Sequence, residues 1–123
     1  MNFRESKPIY LQIAERLMDE MLQSVYMEEQ RIPSVREYAA IVEVNANTVM
    51  RAYDYLQGKN VIYNKRGIGY FVSSDAKNRV LMLRKEQFLK NDLPEMFRQI
   101  RLLGIPMSEI VSLYERNQTT GAQ

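Results

Sequence analysis

Between positions 47 and 67 lie the side chains best suited to a chemical task. Asn47 and Thr48 are short and carry hydrogen-bonding groups, and Arg51 follows one helical turn later. Near the start of a helix such side chains can approach base edges or phosphate oxygens, and the unpaired backbone N–H groups there favour phosphate as well. Arg51 has the reach and the planar donor fork for a guanine edge or a phosphate. Lys65 and Arg66 stand beside Gly67, so a second cluster joins positive charge to a residue that lets backbone come close to a duplex. The chemistry implied is recognition of a nucleic acid and not a covalent change.

Composition leaves little room for a catalyst. The 123 residues include neither cysteine nor histidine. That removes the imidazole base, the Ser-His and Cys-His pairs, disulfides and the ordinary zinc sites. No pattern places two carboxylates in one cleft, so no enzyme activity, cofactor or metal is expected. The chain is 46% hydrophobic and 26% charged, a globular composition. Its net charge of +2 says little, but the distribution says more. Residues 1–30 hold three basic and six acidic groups, whereas residues 31–74 hold six basic and three acidic ones. An electrostatic footprint for phosphate belongs to that middle segment. Arg4, Glu5 and Lys7 interrupt any apolar run at the N-terminus, and no stretch has the length of a membrane span. A cytoplasmic protein with no membrane partner is expected.

The elements that must carry these residues can be read from local signals. Pro8 suits the first turn of a helix, and Ile9, Ile13, Leu17, Met21 and Leu22 then make one apolar stripe. The period is lost over residues 23–33. Ser34 with Glu37 three residues on is a capping box, opening a short helix that buries Val35, Tyr38, Ala39 and Val42. A tight turn at Val44 and Asn45 leads to a third helix from about Ala46 to Lys59. Its inward face is Val49, Ala52, Tyr53 and Leu56; Asn47, Thr48, Met50, Arg51, Asp54 and Tyr55 face outward. The period then drops to two, and Val61-Ile62-Tyr63 and Tyr70-Phe71-Val72 flank a glycine-containing loop from Asn64 to Gly69. Helical patterning returns over 76–104, with a break or a restarted helix allowed at Asp92 and Pro94, and Ser108 is read as the cap of a last short helix. The eight methionines are read as packing filler.

Four blocks in this order, Tyr10-Leu-Gln-Ile-Ala, Ile32-Pro-Ser-Val-Arg-Glu, Asn47-Thr-Val-Met-Arg-Ala-Tyr and Gly67-Ile-Gly-Tyr-Phe-Val, resemble the GntR family of bacterial repressors. The short helical extension resembles the family's YtrA-like subfamily. The resemblance implies that Arg36 meets DNA from the second helix and that Asn45 and Asn47 contact bases or phosphate. It further implies that Thr48 bonds phosphate and that Gly67 forms the wing tip. Ala46 and Met50 stand where many members have arginine, and the loop glycines usual near Ser24 and Glu29 are missing.

The fold expected is mainly α with a small β-hairpin, a winged helix-turn-helix over residues 1–74. A helical dimerisation and effector region follows over 75–117, with a flexible tail at 118–123. Leu83, Phe88, Met96, Phe97, Ile100 and Leu103 make more apolar surface than a few helices can hide within one chain. A two-fold pair of chains would bury the same patch twice and set two recognition helices about one DNA turn apart. The expectation is a homodimeric repressor of transcription on a two-fold-related operator in duplex DNA, with room left for an unidentified small-molecule effector. The rival is a winged-helix module that binds protein and not DNA, against which the basic wing and Arg51 speak.

Overall fold

A computed structural model describes residues 7–120; Arg4, Glu5 and the rest of the first six residues, and residues 121–123 of the expected tail, lie outside it. Helix α1 (Ile9–Leu22) follows Pro8, whose carbonyl accepts from the amides of Leu11 and Gln12 at 3.1 and 3.2 Å. Its buried face holds Ile13, Leu17 and Met21 of the predicted stripe together with Ala14 and Met18. Ile9 does not join it and stays 53% exposed. Glu15 is also buried, its carboxylate satisfied by the Lys7 ammonium at 2.6 Å.

Helix α2 (Val35–Val42) starts with both halves of the capping box formed: the Glu37 amide donates to Ser34 Oγ at 3.1 Å, and the Ser34 amide to Glu37 Oε1 at 2.8 Å. Those bonds hold the Glu37 carboxyl below its ordinary range. Glu43 ends the helix in the left-handed region with φ 59°, and Asn45 caps the next helix by accepting from the Asn47 amide at 2.7 Å. Helix α3 (Ala46–Gly58) buries Val49, Ala52, Tyr53 and Leu56, the four residues the periodicity assigns inward. Asn60, with φ 62°, turns the chain after it; Gly58 remains helical.

Strands β1 (Ile62–Lys65) and β2 (Gly69–Val72) pair antiparallel, with Ile62 opposite Val72 and Lys65 opposite Gly69. The stretch before Pro33, unstructured in the sequence reading, is bonded to the free edge of β2. The amides of Glu29 and Ile32 donate to the carbonyls of Val72 and Tyr70, and the Val72 amide donates to Gln30. A pairing of so few residues carries no period of its own. It also leaves β2 without an open edge here.

The buried core joins α1, α2 and α3 to Ile32, Val61, Ile62 and Val72. Two tyrosines lie fully inside it with their hydroxyls satisfied: Tyr38 donates to Glu20 Oε1 and Tyr53 to the Pro33 carbonyl, each at 2.7 Å. Burial raises both hydroxyls well above the ordinary tyrosine value, and for Tyr38 the bond to Glu20 adds to it.

Helix α4 (Ala76–Gln87) is part of this core. Ala76 and Val80 are fully buried and Leu83 packs against the cluster. Arg84 reaches the Glu15 carbonyl at 3.3 Å and the Asp19 carboxylate at 2.8 Å, while Lys77 Nζ donates to Ser24 Oγ at 2.6 Å. The first compact unit therefore extends to Lys85, past the boundary placed after residue 74. The hairpin ends at Val72, but the hydrophobic cover of α1 is completed only by the turns that follow.

The second unit begins at Glu86. In place of a break at Asp92, a π-helical turn (Phe88–Asp92) runs into α5 (Leu93–Leu102), which tolerates Pro94 because a first-turn residue needs no amide partner. Gly104, at φ 68°, turns the chain into α6 (Met107–Thr120). Ser108 lies within that helix and does not cap it; the first turn bonds back to the Pro106 carbonyl through the Glu109 amide at 3.0 Å. Helix α6 continues through Gln118 to Thr120, so this part of the expected tail is helical.

Candidate nucleic-acid interface

Two elements carry the candidate contacts, the outward side of α3 and the turn of the β1–β2 hairpin. At the start of α3, Ala46 and Asn47 are exposed and Thr48 is half-buried. Asn45 has its amide oxygen committed to the Asn47 N–H, so its first role is that of a helix cap. Arg36 is exposed in the first turn of α2 and makes no ion pair among the described residues. It pairs with neither Glu37 nor Glu43, the acidic residues near it in sequence.

Arg51 is exposed yet has an aromatic partner. Its guanidinium lies 4.2 Å from the centre of the Tyr10 ring in the first turn of α1. Tyr10 in turn meets Tyr55 of α3 edge-on, with ring centres 6.4 Å apart, and Lys59 Nζ lies 5.6 Å from the Tyr55 ring. Tyr55, assigned outward from the sequence, is therefore half-buried at the junction of α1 and α3. Met50 remains exposed between Asn47 and Asp54 on the outward side.

The hairpin turn presents Lys65, Arg66 and Gly67, all exposed. Gly67 has φ 78°, with nothing within 4 Å of where a Cβ would stand, so the backbone angle and not crowding selects glycine. Lys65 Nζ sits 4.6 Å from the Phe71 ring, which stacks on Tyr63 at 5.8 Å, and Tyr63 donates to Glu29 Oε1 at 2.7 Å. That bond raises the Tyr63 hydroxyl, and the column gives the wing a fixed base.

Sequence reading missed two contributors. Arg31 crosses β2 so closely that a Cβ on Gly69 would come within 2.8 Å of its Nε. Tyr10 holds Arg51. Arg31 belongs to the basic middle segment and Tyr10 to a recognisable block, but neither composition nor spacing reveals a contact between distant residues. Of the predicted C-terminal residues, Phe88, Met96 and Leu103 are exposed, Phe97 and Ile100 are half-buried, and Leu83 is separated from them by its packing on the first unit's core. Among the described residues no group of acidic side chains could hold a metal ion, and no helix is long and apolar enough to cross a membrane.

Three helices, a tight turn between the second and third, and a following hairpin with a basic tip define a winged helix-turn-helix, here the DNA-binding part of a transcriptional regulator. The chain belongs to the GntR family of bacterial regulatory proteins, whose family model matches residues 9–72. It is 32% identical over 107 residues to the HTH-type transcriptional repressor YtrA of Bacillus subtilis, covering 87% of this chain and 82% of that protein. A crystal structure of a GntR-family regulator from Bacteroides thetaiotaomicron is 55% identical, covers 93% of this chain and 99% of that one, and superposes with a TM-score of 0.76. The DNA-binding domain of AraR, solved in complex with operator ORX1, is 25% identical, covers 58% of this chain and 87% of that one, and gives a TM-score of 0.54.

Proposed function

We propose that the protein acts in the cytoplasm as a homodimeric repressor, with α3 in the major groove of each half of a two-fold operator and the wing on the flanking backbone. The observation that carries this reading is the pairing of two exposed sets of polar and basic residues, Asn47 and Arg51 on α3 and Lys65 to Gly67 on the wing. Arg36, Asn45, Asn47, Thr48, Arg51, Lys65, Arg66 and Gly67 are assigned to the duplex. The operator-bound AraR domain and the repressor YtrA support the assignment by similarity. Residues 1–74 carry the DNA-reading elements, α4 completes their core, and the helices from Glu86 to Asn117 pair two chains and sense any small-molecule effector. The apolar residues left uncovered from Phe88 onward support that division. A ligand favouring one spacing of the two heads would shift DNA affinity through the equilibrium between spacings. No catalytic step or cofactor enters the reading.

A salt titration on duplex DNA tests it. Affinity should fall linearly on a log–log plot, with a slope of about −0.9 for each phosphate neutralised. Arg36→Ala should weaken binding roughly tenfold, the scale of one charge-assisted hydrogen bond. Thr48→Ala should cost less. Binding that ignores salt, or a footprint left unchanged in affinity by both substitutions, would remove the basis of the assignment.

A further inference from the structure

The contact between Arg51 and Tyr10 bears on how sequence is read. On a free helix face Arg51 could serve either a guanine edge or a phosphate. Its guanidinium instead lies over the ring of Tyr10, 4.2 Å from the centroid, at the first turn of α1. The ring also meets Tyr55 edge-on, with centres 6.4 Å apart, which packs it against α3. A guanidinium lying on an aromatic face keeps its in-plane N–H donors open at the rim, the geometry that suits a tetrahedral oxyanion. Stacking also draws the side chain toward Tyr10 of α1, whereas Asn47 and Met50, three residues apart on α3, are exposed.

We infer that Tyr10 is a positioning residue for DNA binding. It preorganises Arg51 as a phosphate clamp, so that Arg51 contributes affinity without sequence preference and base discrimination falls to Asn47 and Met50. This inference rests on the DNA-binding function above and adds a division of labour within it.

The test compares four full-length proteins, wild type, Tyr10→Leu, Arg51→Ala and the double variant, with Tyr10→Phe as the conservative control. Two probes are used: a random 20-base-pair duplex pool, and the duplex that the wild type enriches from that pool. Thermal melts confirm that each variant is folded at the assay temperature. Arg51→Ala should lose the same factor on both probes and make the salt slope shallower by about 0.9, one phosphate. Tyr10→Leu should lose about two- to fivefold, the range of an exposed cation–π contact, and leave the slope unchanged because no charge is removed. In the Arg51→Ala background Tyr10→Leu should have no further effect, and Tyr10→Phe should restore wild-type affinity to within about twofold. A larger loss on the enriched duplex than on the random pool for Arg51→Ala overturns the clamp, since Arg51 would then be reading a base. Additive losses in the double variant overturn the positioning role. Absence of salt-dependent binding by the wild type itself is a different result, and overturns the DNA-binding function beneath both.

Discussion

The winged domain and the C-terminal helices treat their apolar residues in opposite ways. In the former, Leu17, Tyr38, Val49, Tyr53 and Leu56 have no exposed surface, and even the hydroxyls of the two tyrosines are paired inside. From Glu86 to Gln118 no described side chain is buried, and Phe88, Leu89, Leu102 and Leu103 are largely open. The first unit completes its own core, with α4 closing it. The second has amphipathic helices whose apolar side chains stay largely exposed among the described residues, the pattern of surface that seeks a partner.

The largest test of that contrast is a pair of truncations followed by urea unfolding. Leu56→Ala should cost 2–5 kcal/mol, because a fully buried leucine leaves a cavity. Leu103→Ala, at a site 68% exposed, should cost less than about 0.5 kcal/mol in the monomer at high dilution. Equal losses would erase the distinction between the regions. Next in size is Phe88→Glu combined with Phe97→Glu. The melting transition of the head should stay in place while sedimentation reports a monomer, and affinity for a two-fold operator should fall about a hundredfold as the second head is lost. A dimer that survives the double substitution would move the interface elsewhere.

Alkaline pH probes the head's core from inside. Tyr38 and Tyr53 have hydroxyls raised above the ordinary value of 10.0, so the folded state holds its protons more tightly than the unfolded one. Stability is therefore whole below pH 10 and declines as pH rises beyond it, approaching about 1.4 kcal/mol per pH unit for each tyrosine. Tyr38→Phe should flatten part of that decline in pH-dependent urea unfolding, and an unchanged slope would mean that the Tyr38 proton is not held by the fold.

The smallest effects concern backbone geometry. Ser24, Glu29 and Glu43 all adopt positive φ, 64°, 67° and 59°. Two of them stand where the family usually has loop glycines, so the loop keeps the conformation without the residue that favours it. Ser24 and Glu29 recover part of the cost through hydrogen bonds from Lys77 and Tyr63. Glu43→Gly should accordingly stabilise the head by about 0.5–1 kcal/mol in thermal unfolding, and Ser24→Gly and Glu29→Gly by less. A larger gain at Glu29 than at Glu43 would mean that the Tyr63 bond contributes nothing.

Much of the head was legible in advance because its signals are local. The capping box at Ser34 and Glu37 formed as read, the inward face of α3 was correct at all four positions, and the glycine at the wing tip does adopt positive φ. Errors arose where local patterns are silent or ambiguous. The stripe of α1 gained Ala14 and Met18 and lost Ile9, and Leu83 fitted a C-terminal stripe yet packs on the first core. The restart allowed at Asp92 and Pro94 is present, but it runs through a π-helical turn that no local pattern marks.

By itself the sequence determined the three helices, the wing and the family, because caps, periods and turn residues act over a few neighbouring positions. Only the tertiary structure decided that residues 29–32 edge the wing, that α4 closes the core as far as Lys85, that Arg31 crosses Gly69, and that Arg51 rests on Tyr10. Each of those joins residues far apart in the chain, and a contact made by folding leaves no period for a linear reading to find.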